Sequence, residues 1–161
     1  MENNKKDISY YDSAIGVLKI EGNSATRAIT GLWFVQDTNS VSKTDNSTCE
    51  YLENCKTQLD EYFAKKRKTF DIKIELSGSD FQKRTWNALQ QIAFAQTISY
   101  KTLSQRINAP AAYRAVGNAN NKNPISIIIP CHRVVASNGD LAGYGGGVWR
   151  KKWLLEHESS F

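Results

Sequence analysis

The chain has 161 residues, 40% of them apolar, with three cysteines, two histidines and a formal charge of +5. That length and apolar content suit one globular domain, or two small ones, and argue against disorder. No run approaches the roughly eighteen apolar residues that cross a bilayer, and the start MENNKKDISYYD lacks the apolar core of a signal peptide, so a soluble cytoplasmic protein is expected.

An odd number of cysteines, at 49, 55 and 131, without an export signal makes a disulfide framework a poor reading, and reduced thiols are expected. Cys49 and Cys55 have no second ligand pair near them, so no metal site is expected either. Charge is unevenly placed. Residues 1–78 hold 11 Lys/Arg against 12 Asp/Glu, and residues 79–161 hold 10 against 4, giving −1 and +6. A basic excess confined to one half is the footprint of a polyanion-binding surface.

The first third carries β-branched and aromatic runs broken by Gly, Asn and Ser, and SAIGVLKI and AITGLWFV read as successive strands of a small antiparallel sheet. DTNSVSKTDNSTCE is a polar loop. In EYLENCKTQLDEYFAKKRK, Leu52, Cys55, Leu59, Tyr62 and Phe63 recur at helical spacing, which makes Cys55 a small core residue. KKRK at 65–68 reads as a solvated helix end, and FDIKIEL at 70–76 alternates like an edge strand.

SGSD marks the passage into the basic half. Ser79 and Gln82 have capping-box spacing, and Phe81, Trp86, Leu89, Ile92 and Ala93 predict a helix over about 80–94. KTLSQRI, the turn NAP and AAYRAVGNANNK then have the layout of a helix-turn-helix. Its second helix is rich in small residues around a single Arg114, which fits either tight packing or close approach to a nucleic-acid backbone. ISIIIP reads as a buried strand, GYGGG as backbone lining a pocket rather than a phosphate loop, and VWRKKWLLEHE as an amphipathic helix.

That strand is expected to deliver Cys131, His132 and Arg133 to a polar site. Pro130 ends regular pairing there, and an imidazole or cation beside a thiol favours the reactive thiolate and lowers its pKa. Adjacency alone does not establish contact, because successive strand side chains face opposite ways.

NPISIIIPCHRVV, preceded by RAVGNAN and followed by LAGYGGG and LLEHE, closely resembles the O6-alkylguanine-DNA alkyltransferases, also called methylated-DNA-protein-cysteine methyltransferases. The resemblance covers about residues 79–158, is most specific around PCHRV and is weaker over the first 78. It implies an α/β (α+β) fold, with a ribonuclease-H-like small sheet domain over 1–78 acting as scaffold. A helical DNA-binding and alkyl-acceptor domain with the helix-turn-helix would occupy 79–161.

Carried onto this chain, the resemblance makes Cys131 the acceptor of the alkyl group and His132 the base that draws its proton through a water. Glu158 would orient that histidine, and Asn123 would hold the turn before the strand. Arg114 would fill the stack when the damaged nucleotide is flipped, with Ala112, Tyr113, Ala115 and Gly117 beside it on the DNA. Tyr113 stands where other members have a smaller residue. Tyr100 would assist rotation and supply a proton to the leaving guanine. Val134, Tyr144 and the loop containing Gly145 and Gly146 would line the base pocket.

The implied reaction is a single irreversible transfer from O6-alkylguanine in double-stranded DNA, with O4-alkylthymine as a second candidate substrate, performed by a monomer without a cofactor. Asn120, Ser126 and Gly145 stand at positions that vary in the family, and methyl is favoured over bulky adducts. The rival readings are a non-catalytic lesion binder, which would lack the cysteine, a helix-turn-helix regulator, and a cysteine hydrolase using Cys131 and His132 as a dyad.

Overall fold

The computed structural model describes residues 5–41 and 46–161. The first four residues of the MENN start and positions 42–45 of the polar loop lie outside the described residues. The fold is mixed α/β and divides into two compact units, 1–76 and 77–161.

In the first unit, β1 (Lys6–Ser13), β2 (Gly16–Asn23) and β3 (Ala28–Phe34) form an antiparallel meander. Of SAI, Ser13 closes β1 and Ala14 and Ile15 make the β1–β2 turn rather than the start of β2, with Gly16 at φ 119° and the Ser13 hydroxyl donating to its carbonyl at 2.6 Å. Alternation then sends Leu18, Ile20, Leu32 and Phe34 to one buried face. Helix α1 (Glu50–Phe63) packs through Leu52, Cys55, Leu59 and Tyr62, all fully buried, while Phe63 is only half-buried. The Tyr51 ring lies over Gly22, where any Cβ would collide with it, and its hydroxyl donates to Asp7.

FDIKIEL is not a full strand. It makes one parallel bridge, Ile74 to Ile29, with Ile29 N donating to Lys73 O and Glu75 N to Ile29 O, each at 2.9 Å. The reason lies on α1: the buried Gln58 amide donates to Asp71 O and its carbonyl accepts from Asp71 N, taking backbone groups a neighbouring strand would otherwise pair. Arg67 of the KKRK run pairs with Glu61 at 2.6 Å.

In the second unit, α2 (Asp80–Leu89) opens on the capping box between Ser79 and Gln82. It ends five residues before the predicted limit: the chain turns at 90–96, Ala95 takes φ 60°, and Ile92 is buried beyond the helix. The two-residue strands β4 (Ile98–Ser99) and β5 (Val134–Val135) pair in parallel. Helix α3 (Tyr100–Arg106), capped by Ser99, and α4 (Tyr113–Asn121) form the helix-turn-helix. Ala112 caps α4 rather than lying within it. Trp86 of α2 binds α4 by donating Nε1–H to Ala119 O at 2.8 Å.

ISIIIP is not a strand. Residues 125–130 form a chain of tight turns, with Ile127 at φ 71°, leading into a short 3-10 turn over Cys131–Arg133. Ile125, Ile127 and Ile129 are still buried, so the segment is part of the core as expected although it is not a strand. The backbone is satisfied locally: the Asn123 side chain accepts from Ile125 N at 3.0 Å and donates to Ile129 O at 2.7 Å. Helix α5 (Val148–Ser159) packs against the Cys131–Arg133 turn. Among the described residues no helix is long and apolar enough to cross a membrane.

Candidate active site

Cys131, His132 and Arg133 are all buried, and a charged side chain from α5 reaches each of the last two. Glu158 Oε1 lies 2.8 Å from His132 Nε2. Arg133 donates through Nη2 to Oε1 at 2.9 Å and through Nε to Oε2 at 3.0 Å. Its Nη1 donates to Ile92 O at 2.9 Å, a carbonyl that is free because α2 has already ended. A carboxylate held by a two-pronged guanidinium is a strong, geometrically specified pair.

The electrostatics follow from that arrangement. Burial alone would raise the Glu158 carboxyl pKa, but hydrogen bonds from His132 and Arg133 outweigh it and hold the group below the usual carboxylate range. His132 is shifted down, first by its burial, with Glu158 only partly offsetting this. A neutral imidazole giving its Nε2–H to Glu158 leaves Nδ1 as a lone pair, and Nδ1 has no partner among the described residues.

Cys131 departs from the sequence expectation. Burial pushes its thiol pKa up, and the opposing pull of Asn123 and Lys151 does not overcome this. The buried site penalises a bare thiolate more than its neighbours stabilise it, so the resting group is a thiol that needs a base.

Tyr100, the first residue of α3, stands by the thiol; burial raises its pKa, Cys131 adds to this and the Asn120 amide opposes it. Val134 follows directly in β5 and is fully buried. Tyr144 is partly exposed, but its hydroxyl is buried beside Ser126, and burial lifts its pKa well above the usual value with Ser126 opposing only in part. Gly145 is exposed and lies against the Asn121 carbonyl at the end of α4, and Gly146 O accepts from Arg150 at 2.8 Å.

Helix α4 has two faces. Val116, Ala119 and Asn120 point inward, whereas Tyr113, Arg114 and Ala115 are exposed on its first turn. Gly117 does not share that outer surface: a Cβ there would meet the Tyr100 ring at 3.9 Å.

Three further residues belong to this site: Arg133, expected at the polar site without a stated partner, Asn120, named only as a varying position, and Lys151, which the sequence reading did not single out. Arg133 fixes Glu158. Lys151 is fully buried and donates to Leu141 O, and to Gly143 O at 3.4 Å, with its Nζ 5.8 Å from the Tyr100 ring centre. Burial lowers its pKa to about 8, against the pull of Cys131. Asn120 donates through Nδ2 to Cys131 O at 3.4 Å. A signal for Lys151 was present, since Lys151, Leu154 and Glu158 recur at i, i+3 and i+7 on one helical face.

Among the described residues, no group of three His, Cys, Asp or Glu side chains is placed to hold a metal ion. The groups gathered at the site include a thiol, an imidazole held by a carboxylate, and two tyrosine hydroxyls.

Comparison with known proteins places both halves. The model of the 6-O-methylguanine DNA methyltransferase DNA-binding domain matches residues 80–160, and that of its ribonuclease-like domain matches 8–76. The methylated-DNA–protein-cysteine methyltransferase of Mycobacterium tuberculosis is 43% identical over 150 residues, covering 92% of this chain and 90% of the relative. The crystal structure of the M. tuberculosis O6-methylguanine methyltransferase superposes with a TM-score of 0.85 at 41% identity, over 97% of this chain and 94% of that one. A structure of the M. tuberculosis protein in complex with DNA gives 0.84 at 42% identity, over 95% and 92%. With both domain models matched and this identity sustained over nearly the whole length, the chain belongs to the 6-O-methylguanine DNA methyltransferase family.

Proposed function

We propose that this protein repairs DNA by moving a methyl group from O6 of guanine onto its own Cys131, once per molecule. The observation that carries the reading is the buried His132–Glu158 pair beside a buried cysteine, with the second imidazole nitrogen left without a partner among the described residues. A thiol whose pKa is raised by burial is unreactive until a base removes its proton, and His132 Nδ1 is the base, acting through a water. Glu158 stabilises the imidazolium that forms, and Arg133 keeps Glu158 ionised.

The thiolate attacks the methyl carbon in line with the C–O6 bond. A sulfur lone pair forms the S–C bond as the C–O6 pair leaves with guanine. Tyr100, kept protonated by its raised pKa, supplies a proton to the departing base. The proton lost by Cys131 balances the one gained by guanine. The thioether product has no route to hydrolysis here, so turnover stops at one, and no cofactor is needed because the protein is the acceptor.

A guanine in duplex DNA hides its O6 substituent in the stack, and extruding it costs a few kcal/mol. Arg114, exposed on the first turn of α4, occupies the space left behind. Ala112 and Ala115 allow α4 to approach the minor-groove floor, while the bulky exposed Tyr113 beside Arg114 makes its own contact with the DNA. Gly117 leaves room beside Tyr100 for the turning nucleotide. Val134, Tyr144, Gly145 and Gly146 line the base pocket. Phosphate contacts from the basic half supply affinity independent of sequence.

Residues 79–161 thus carry both DNA binding and chemistry, and residues 1–78 act as scaffold, in a monomer working in the cytoplasm, where its thiols stay reduced. The test is intact mass after incubation with duplex DNA holding one O6-methylguanine. A gain of one methyl, mapped to Cys131 and absent in Cys131→Ser, is the expected result. No gain despite lesion-selective binding overturns the transferase reading.

A further inference from the structure

A guanidinium donates only in its own plane, and Arg133 turns that edge to oxygen atoms: Nε and Nη2 meet the two oxygens of Glu158, and Nη1 meets Ile92 O. What else the cation meets is aromatic. Its Cζ lies over the Phe94 ring, 5.5 Å from the ring centre, and the Arg133 side chain is 8% exposed. A π face attracts a cation without competing for its N–H groups, and the attraction strengthens where water is excluded.

Phe94 is held in that place from two sides. It belongs to the turn over 90–96 that also presents Ile92 O, so one loop grips Arg133 twice. Ala95, next to it, takes φ 60°, a left-handed conformation that a residue with a side chain keeps only where its surroundings enforce it. Phe161 packs against the Phe94 ring, tilted by 69° with 4.7 Å between centres, and lies edge-on to His157 at 5.3 Å. His157 precedes Glu158 on α5, so the helix end that sends Glu158 inward also anchors the ring that clamps Phe94.

We propose that Phe94 is a positioning residue for the transfer: its ring, clamped by Phe161, shields the Arg133 cation from water and so keeps Glu158 and His132 in one geometry. This rests on the alkyl-transfer reading above and deepens it. Phe94 touches neither the thiol nor His132 in this account and acts through Arg133. Water admitted to Arg133 would screen its pairing with Glu158 and loosen the carboxylate that orients the imidazole.

The experiment follows two quantities in the full chain. One is the single-turnover rate of methyl transfer to Cys131 from duplex O6-methylguanine. The other is the exchange with water of the His132 Nε2–H proton, read by proton NMR without DNA and assigned by its absence in His132→Asn. Phe94→Leu, which keeps apolar bulk but no π face, should slow transfer and speed exchange by about fivefold to tenfold each. Phe94→Tyr, which keeps the ring, should stay within about twofold of wild type in both. Phe161→Ala leaves the Phe94 ring in place but unclamped, and should move both readouts in the direction of Phe94→Leu by about twofold or more. It serves as the test should Phe94→Leu not fold. Unchanged proton exchange in either variant overturns the proposal whatever the rate does, because a rate loss alone would mark packing. A loss in Phe94→Tyr equal to that in Phe94→Leu overturns it too, as does a wild-type protein with no protected Nε2–H. Absence of transfer in the wild type sinks the transferase reading, while the exchange measurement, which needs no DNA, still decides the role of Phe94.

Discussion

Replacing Glu158 with Gln removes one negative charge from a closed cluster and changes almost no volume. Glu158 is fully buried and faces two cationic or potentially cationic groups, Arg133 at 2.9 Å and His132 at 2.8 Å. In Glu158→Gln the Arg133 cation remains inside without an anion beside it, left with Ile92 O and at most the single amide oxygen of the new side chain as acceptors. Breaking a buried pair from one side typically costs about 3–5 kcal/mol. For a chain of this size the thermal midpoint should fall by roughly 10 °C. The rate of methyl transfer should fall by roughly 100-fold at neutral pH, because the imidazolium loses the anion that stabilises it and general-base assistance is worth about that much. The rise of rate with pH should also move to higher pH, since the thiol must then ionise with less help.

The double variant Glu158→Gln/Arg133→Met separates the two effects. It removes the stranded cation, so part of the lost midpoint should return, while the rate stays low. The assays are calorimetry or circular dichroism on heating, and single-turnover transfer between pH 6 and 9. A midpoint within about 2 °C of wild type, or an unchanged pH–rate profile, would refute the reasoning.

Two further outcomes follow from the same geometry. Because the His132 pKa is lowered in the folded state, unfolding takes up a proton below about pH 6.5, so stability should fall as pH drops through that value. Glu158, with its folded pKa depressed, contributes stability that is full above the usual carboxylate range and declines below it. In His132→Asn the decline should begin only near about pH 4.5, and an identical thermal-midpoint curve in wild type and variant would count against a buried neutral imidazole. Arg114→Ala should weaken repair in duplex DNA more than reaction with the free base O6-methylguanine, as extrusion is its assigned task. Equal losses on the two substrates would refute that task.

Much of the candidate site was legible in the sequence because its residues are local. Cys131, His132 and Arg133 are consecutive, Asn123 opens the same segment, and family-specific motifs fix the spacing to Tyr100, Arg114 and Glu158. Helical periodicity found most of the buried faces of α1 and α2, and the apolar run before Cys131 was read as part of the core.

What periodicity could not show was how the backbone around those side chains is satisfied. ISIIIP has a strand's pattern but turns on itself because Asn123 supplies the hydrogen bonds a partner strand would have given. FDIKIEL is reduced to one bridge because Gln58, a polar residue on an apolar helical face, claims Asp71. The direction of the Cys131 pKa shift was likewise out of reach: sequence adjacency suggested a stabilised thiolate, and burial, which only the assembled unit creates, reversed the sign. Lys151 and Asn120 joined the site, and Arg133 found its partners there, through contacts between segments 8 to 41 residues apart in the chain. Local pattern determined which side chains are buried and which motif carries the chemistry. Tertiary structure decided the charge states, because desolvation and pairing depend on neighbours brought from elsewhere in the chain.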